Sequence, residues 1–352
     1  MTDLNVSSLG SFLQLNGSIR SLQKSLLDGQ KELSTGIKVD LMAALGSQTT
    51  SDVDLRNAYA ETTEFKSTAG IVSIRLDTMQ TALTSIKDAL DKARTQALTA
   101  TSPVARQQLQ QLAKTTIDQI NSLLNTQIDG RYLFAGTQTD TAPIQAQNAV
   151  NSATSLSPQQ AVAQVIANLG PMTDAASALN VANGTDGVSS LFDDSNSDPN
   201  LRFTPTLYNG ATSGTVTARL DHNYQIDYGL RADDPAIRNA LQGLYMLASV
   251  PSGSVPDDAY AAWQSEAVSH LDKGFQGVIG MAANVGFQQG AVADVMTRHD
   301  STLTQLNTQI VNLEQADPYQ TAAKLSQLQT QLEATFQVTA RMSRLSLTNF
   351  LT

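Results

Sequence analysis

Toward the C-terminal end of the chain, apolar or helix-tolerant residues recur in alternating steps of three and four. The stripe runs Leu271, Phe275, Val278, Ala282, Val285, Gln289, Val292, Met296, His299, Leu303, Leu306, Ile310 and Leu313. A strand, with its two-residue period, cannot use such spacing, so the stripe predicts one long helix with a coiled-coil seam. The seam loses phase at Asp317-Pro318, where the proline predicts a break or a change of register. A second seam follows through Leu325, Leu328, Leu332, Phe336, Thr339, Met342 and Leu345. The other end of the chain carries a matching pattern: Phe12, Leu15, Ile19, Leu22, Leu26, Gly29, Leu33 and Gly36. Glycine weakens an isolated helix but lets another helix come close. A seam this narrow cannot bury itself, so the two ends predict partners for each other, ordered in full only when neighbouring subunits pack against them.

The stretch between these ends is also mostly helical in pattern. Leu55, Ala58, Thr62, Phe65, Ala69, Val72, Leu76, Met79, Leu83, Ile86, Leu90, Ala93 and Ala97 hold one seam. Ser102-Pro103 is an N-cap followed by a first-turn proline, and opens a helix with Leu109, Ala113, Ile117, Ile120, Leu124 and Ile128 on one face. Asp129-Gly130 stops it. Asp234-Pro235 opens another helix, through Ile237, Leu241, Leu244 and Ala248, that Pro251 closes. Residues 37–50 lack a stripe and read as a loop. Residues 131–135 read as a short strand, as do 203–207, 215–220 and 224–230, with Asn209-Gly210 and Asp221-His222-Asn223 as turns. Within 144–200 only 158–169 reads as a helix.

The expected fold is mainly α with a smaller β-containing insertion: an elongated antiparallel coiled-coil bundle of the N- and C-terminal segments, and a central α+β or β domain. Five segments follow. Residues 1–48 and 317–352 form the two coiled-coil assembly segments. Residues 49–143 and 233–316 form the halves of a helical rod, and 144–232 an outer β-containing insertion.

Composition sharpens this. Hydrophobic residues make up 41% but aromatics only 5% and charged residues 15%, which favours elongated helices with small-residue seams over a compact enzyme. A net charge of −10 opposes nucleic-acid binding, where lysines and arginines must neutralise phosphates. The absence of cysteine removes disulfides and thiolate metal sites. No apolar run approaches the ~20 residues of a membrane span. The first residues lack the basic and apolar regions of a secretory signal, so a cleaved signal is not expected, and any export would take a route that ignores ordinary signals.

Catalytic chemistry finds little support. His222, His270 and His299 lack ligand spacing, and His299 on the seam reads as a satisfied interface residue. Asp194-x-Asn196-x-Asp198 begins like a calcium loop but meets Pro199 and Pro205 where glycine and glutamate belong. Asp233-Asp234 reads as helix capping, and Tyr260 and Trp263 as core or interface aromatics. No nucleophile elbow, phosphate-binding glycine loop or HExxH word occurs, so neither enzyme activity nor a cofactor is expected.

Several words resemble the bacterial flagellin superfamily. Glu32-Leu33-Ser34-Thr35-Gly36-Ile37-Lys38-Val39 resembles its N-terminal motif, with Leu33, Ser34 and Gly36 at the motif positions. Asp129-Gly130-Arg131-Tyr132-Leu133-Phe134-Ala135-Gly136-Thr137, followed by Thr139-Asp140-Thr141-Ala142-Pro143, is similar to the word of the superfamily's hook-associated branch; Gly130, Arg131, Tyr132, Leu133, Phe134 and Gly136 carry the match. Leu345-Ser346-Leu347-Thr348-Asn349-Phe350-Leu351 resembles that branch's ending. Three stretches depart. Asp40-Leu41-Met42-Ala43-Ala44-Leu45-Gly46-Ser47 replaces an Asn-x-x-x-Asp-Asp-Pro word, and Leu313-Glu314-Gln315-Ala316-Asp317-Pro318-Tyr319 adds a proline to the family's Glu-x-Ala-Asp. Thr95-Gln96 breaks the innate-receptor epitope of some flagellins, so receptor recognition is not expected.

The resemblance implies a structural subunit of the extracellular flagellum, an adaptor ring at the hook–filament junction on which flagellin assembles. It implies passage through the type III export channel largely unfolded. The implied partners are further copies in a homo-oligomeric ring, the preceding hook-associated protein, flagellin, and a cytoplasmic export chaperone that holds the C-terminal helix, with no nucleic acid and no membrane. Phe12, Leu15, Ile19, Leu22, Leu26, Leu325, Leu328, Leu332, Phe336, Met342 and Leu345 are then the assembly seam. Two rival readings remain: a flagellin filament subunit, and a flagellin-like surface protein whose residues 144–230 bind a ligand such as a polysaccharide.

Overall fold

The computed structural model describes residues 3–251 and 253–350, apart from the side chains of 3–9, 11–12 and 342–350. Its contacts divide the chain into a terminal unit, Met1–Thr63 with Asp300–Thr352, and a central unit, Glu64–His299.

In the terminal unit, α1 (Asp3–Thr35) ends where Gly36 turns to a φ of +71°, a left-handed conformation that glycine adopts without a Cβ clash. The Gly36 N–H donates to the Glu32 carbonyl at 2.8 Å and closes the helix. Residues 37–50, expected as a loop, contain α2 (Leu41–Leu45) and a 3₁₀ turn, Gly46–Gln48. Asp40 makes this possible by capping α2: its carboxylate accepts from the Ala43 N–H at 3.0 Å. The chain then enters α3 (Thr49–Thr99).

The central unit is built on the α3 seam. Leu76, Met79, Leu83, Ile86 and Leu90 are almost wholly buried. Packed with them in one core are Leu109, Ile117 and Ile120 of α4 (Pro103–Leu124), whose Ser102 cap accepts from the Ala105 N–H at 3.2 Å. The helix stops at Leu124, short of Ile128, because Ile128 pairs with Arg131 and Gln127 with Tyr132. These form an antiparallel hairpin of β1 (Gln127–Ile128) and β2 (Arg131–Tyr132). The expected strand over 131–135 is thus two residues long plus an isolated bridge from Ala135 to Arg231.

The insertion is more helical than the sequence suggested. After α5 (Pro158–Asn168) come α6 (Ala175–Asn183) and α7 (Val188–Phe192), in a stretch expected to be loop. A reciprocal capping box starts α6: the Asp174 carboxylate accepts from the Ser177 N–H at 2.8 Å, and the Asp174 N–H donates to the Ser177 hydroxyl at 3.0 Å. Beyond a 3₁₀ turn (Pro199–Leu201), residues 203–207 form no strand but a kinked helical turn, α8 (Phe203–Thr206). The Phe203 carbonyl accepts from both Leu207 and Tyr208 N–H groups, at 2.7 and 3.1 Å, which curls the segment. The remaining strands form one antiparallel hairpin, β3 (Thr217–Asp221) and β4 (Tyr224–Asp227), with a register irregularity between Arg219 and Asp221.

Then α9 (Pro235–Ser249) packs on α4 and α10 (Asp257–Glu314). A Cβ on Gly274 would lie 2.6 Å from the Ala240 backbone, so small residues let α9 lie directly against α10. Within the central unit α10 runs antiparallel to α3, as the pairs Arg94–Asp272 (2.9 Å) and Asp77–Gln289 (2.6 Å) require. Leu271, Val278, Val285 and Val292 are buried at successive seam positions. Tyr260 and Trp263 are buried too, with the indole N–H donating to the Met246 carbonyl at 2.8 Å. His299 is buried against Phe65, with Nε2 2.7 Å from the Leu220 carbonyl of β3. Finally α11 (Pro318–Phe350) starts at the sequence break: the Asp317 carboxylate accepts from the Tyr319 N–H at 2.8 Å and Pro318 occupies the first turn.

Candidate assembly site

The motif of residues 33–39 does not stand free. Its backbone forms a short antiparallel bridge with the turn between α10 and α11. The Lys38 N–H donates to the Glu314 carbonyl at 2.9 Å, the Ala316 N–H to the Gly36 carbonyl at 2.8 Å, and Ile37 lies opposite Gln315. Side chains reinforce it. The Lys38 ammonium donates to the Leu313 carbonyl at 2.8 Å, placing a cation at the C-terminal end of α10. The Val39 N–H donates to the Glu32 carboxylate at 3.0 Å. The Arg56 guanidinium joins two buried carboxylates, Glu314 and Asp52. The hydrogen bond to Glu314 holds Arg56 above its ordinary pKa, against the opposing effect of burial. Leu33 and Ser34 are exposed, and the Ser34 hydroxyl only bonds back to the Lys31 carbonyl. Of the motif's named residues, Gly36 is the one that shapes this clasp.

From the clasp α1 and α11 run back antiparallel. A Cβ on Gly29 would sit 2.9 Å from Leu325 Cδ2, so the glycine makes room for that leucine. Ile19 and Leu325 are buried, whereas Leu15, Leu22, Leu26, Leu328 and Leu332 are only half-buried and Phe336 is 47% exposed. The side chains of Phe12, Met342 and Leu345 lie outside the described residues. Leu13 and Leu27 of α1 and Val338 of α11 are exposed as well. Two helices alone cannot cover this much apolar surface, which is the condition under which further helices associate.

The second word does structural work inside the central unit. Asp129 and Gly130 have φ of +51° and +72°, the signs a type I′ hairpin turn requires. Phe134 is fully buried, its carbonyl accepting from the Ala232 N–H at 2.8 Å. The Ala135 carbonyl accepts from Ala211 at 3.0 Å, and Leu133 and Tyr132 bond to Thr126 and Thr139. Gly136, at φ +62°, lies where a Cβ would stand 3.1 Å from the Gly214 carbonyl. The word therefore ties three separate stretches around one phenylalanine, while Arg131 stays exposed. Lys38, Asp52, Arg56 and Glu314 were missed as site residues in the sequence. Lys38 lies within the 32–39 word and Glu314 within the Glu-x-Ala-Asp word, whereas Asp52 and Arg56 carry no such signal.

The chain matches the N-terminal helical region of bacterial flagellin over residues 6–139 and the C-terminal helical region over residues 268–351. It belongs to the bacterial flagellin family. Both halves of the clasp fall inside these stretches, so the bridge joins the two matched regions, and the role of the chain is that of a structural protein of the flagellum. No curated protein sequence matches it. Among solved structures it is similar to a candidate flagellar hook-associated protein of Vibrio parahaemolyticus. That match has 13% identity and a TM-score of 0.53, over 77% of this chain and 99% of that one. Bacillus cereus FlgL aligns with 14% identity and a TM-score of 0.46, over 76% and 100% of the two chains. Among the described residues, no helix is long and apolar enough to cross a membrane.

Proposed function

We propose that this flagellin-family chain is the adaptor subunit at the hook–filament junction, forming a ring of identical copies on which flagellin assembles. The observation that carries the reading is the word at 129–137, which resembles the hook-associated branch and here holds the central unit together. In this reading residues 1–48 and 317–352 are the assembly segments, and their half-covered seam closes against neighbouring copies. Residues 49–143 and 233–316 form the rod, and 144–232 the outer insertion. The preceding hook-associated protein lies on one side and flagellin on the other. The chain is exported largely unfolded without a cleaved signal, its C-terminal helix held by a chaperone until then.

Deletion of the gene tests this. Hooks without filaments, with flagellin released into the medium, are the expected result; normal filaments on the deleted strain overturn it. The match to flagellin's own helical regions supports a second reading, a filament subunit. Polymerisation of the purified chain alone into long filaments selects that reading over the junction.

A further inference from the structure

The central unit holds a cleft of about 530 Å³ that assembly does not account for. It lies between the end of α7, the entry to α9 and the first half of α10. Its floor is a continuous row of polar side chains. Asn239 Oδ1 lies 2.9 Å from His270 Nδ1, and His270 Nε2 lies 2.9 Å from the Gln242 amide nitrogen. The same amide nitrogen donates to the Ser189 hydroxyl at 2.8 Å, which donates to Asn183 Oδ1 at 2.8 Å. With the Gln242 nitrogen facing both neighbours, the neutral imidazole carrying its hydrogen on Nδ1 satisfies the whole row. Burial, with Lys273 adding to it, keeps His270 neutral down to about pH 4, although the Glu266 carboxylate 3.4 Å away pulls the other way. Both ring nitrogens are committed, so this histidine is neither a cation nor a metal ligand.

The walls carry two arginines that are already matched by carboxylates. Arg231 grips Asp233 with two bonds of 2.8 Å. Arg238 donates to Asp194 at 2.6 Å and to the Phe192 carbonyl at 2.9 Å. Left over are single hydrogen-bonding positions. Gln242 is 4% exposed, yet its Oε1 accepts no hydrogen bond among the described residues. One Asp193 oxygen takes the Ser195 N–H at 3.0 Å and leaves the other open. Asn239 uses one amide hydrogen on the Pro235 carbonyl and keeps the second. The Pro235 ring adds an apolar face beside them.

A cleft whose arginines are internally paired, with the Asp193 carboxylate left over, does not select an anion. One that offers isolated donors and acceptors next to an apolar edge, in a volume typical of small-molecule sites, suits a compact molecule with several hydroxyl groups. We propose that this cleft binds a small neutral saccharide of one or two sugar units, through Gln242, Asn239 and Asp193.

Saturation-transfer difference NMR on the full chain tests the proposal. The probes are methyl α-D-glucopyranoside, methyl α-D-mannopyranoside, N-acetylglucosamine, lactose and chitotetraose, with glucuronate as an anionic comparison. Saturable transfer to at least one neutral sugar is expected, with an affinity reduced about tenfold in Asp193→Ala at an unchanged melting temperature. Transfer confined to the terminal unit of chitotetraose identifies a glycan end as the ligand. Transfer to lactose or the monosaccharides without it identifies free sugar. Gln242→Leu, if folded, should abolish binding. The absence of saturable transfer from every neutral sugar up to roughly 10 mM overturns the proposal. So does tighter binding of glucuronate, or transfer unaffected by Asp193→Ala.

Discussion

The two units of this chain use one sequence pattern to different ends. In the central unit the α3 seam, Leu76 through Leu90, shares one core with residues of α4, α9 and α10, and its leucines have no exposure at all. In the terminal unit the same three-four spacing brings α1 and α11 together, and the seam stays half-covered, with Phe336 at 47%. Heptad spacing sets which residues face a partner; how many partners arrive decides whether they become a core. A pattern completed within the chain makes a stable body. A pattern left incomplete within the chain leaves apolar surface uncovered.

The comparison breaks most sharply under matched substitutions. Leu83→Asp places a carboxylate at a wholly buried position of the α3 seam, and should cost about 4 kcal/mol or more, unfolding the central unit in a thermal melt followed by circular dichroism. Leu328→Asp places the same group on a half-covered surface, where water still reaches it. It should leave that melt unchanged yet abolish incorporation into the flagellum, because neighbouring helices would have to bury the charge. Equal loss of stability in the two variants would erase the distinction between the units, and normal filaments on cells carrying Leu328→Asp would remove the seam's role.

Acid should act on the central unit. Burial lowers His270 from the ordinary 6.5 to about 4, so on falling pH the unfolded chain takes up this proton before the folded one does. The stabilising contribution is complete above pH 6.5, declines as pH falls towards 4, and is gone below that. A shift of this size corresponds to about 3 kcal/mol across the window. Lys273 and Glu266, the two charged groups that act on the ring, work in opposite directions and leave burial in control. Denaturant melts between pH 7 and 4 should show the slope, and His270→Gln should flatten it. An unchanged slope in that variant would assign the acid sensitivity to other groups.

The sequence showed the long helices and the break at Pro318 because period and capping speak locally. It hid α6 and α7, which are too short for a stripe to develop, although the Asp174–Ser177 box was there to be read as a helix start. Residues 203–207 imitate a strand by alternation, but the Phe203 carbonyl captures two later N–H groups and bends the segment. The clasp was out of reach for a different reason. Its words were recognisable, yet Lys38 and Leu313 stand 275 residues apart, and no local rule pairs them. The cleft is assembled from α7, α9 and α10, so its residues look like unrelated polar positions until the helices pack.

The smallest expected effect sharpens what holds the terminal unit's clasp. Arg56 joins Asp52 and Glu314, but its side chain is 51% exposed, so solvent screens most of the attraction. The bridge between Lys38 and Glu314 and between Gly36 and Ala316 is made by backbone groups that no side-chain change removes. Arg56→Met should therefore lower the opening free energy read from hydrogen exchange at the Ala316 amide by only about 0.5–1 kcal/mol. Raising the salt to roughly 1 M should shrink even that difference, since the Debye length falls to about 3 Å. A loss of several kcal/mol would make the guanidinium the true lock, holding two buried carboxylates whose repulsion otherwise drives the turn open. A small, salt-sensitive loss leaves the lock with the backbone, where the glycine of the 33–39 motif has placed it.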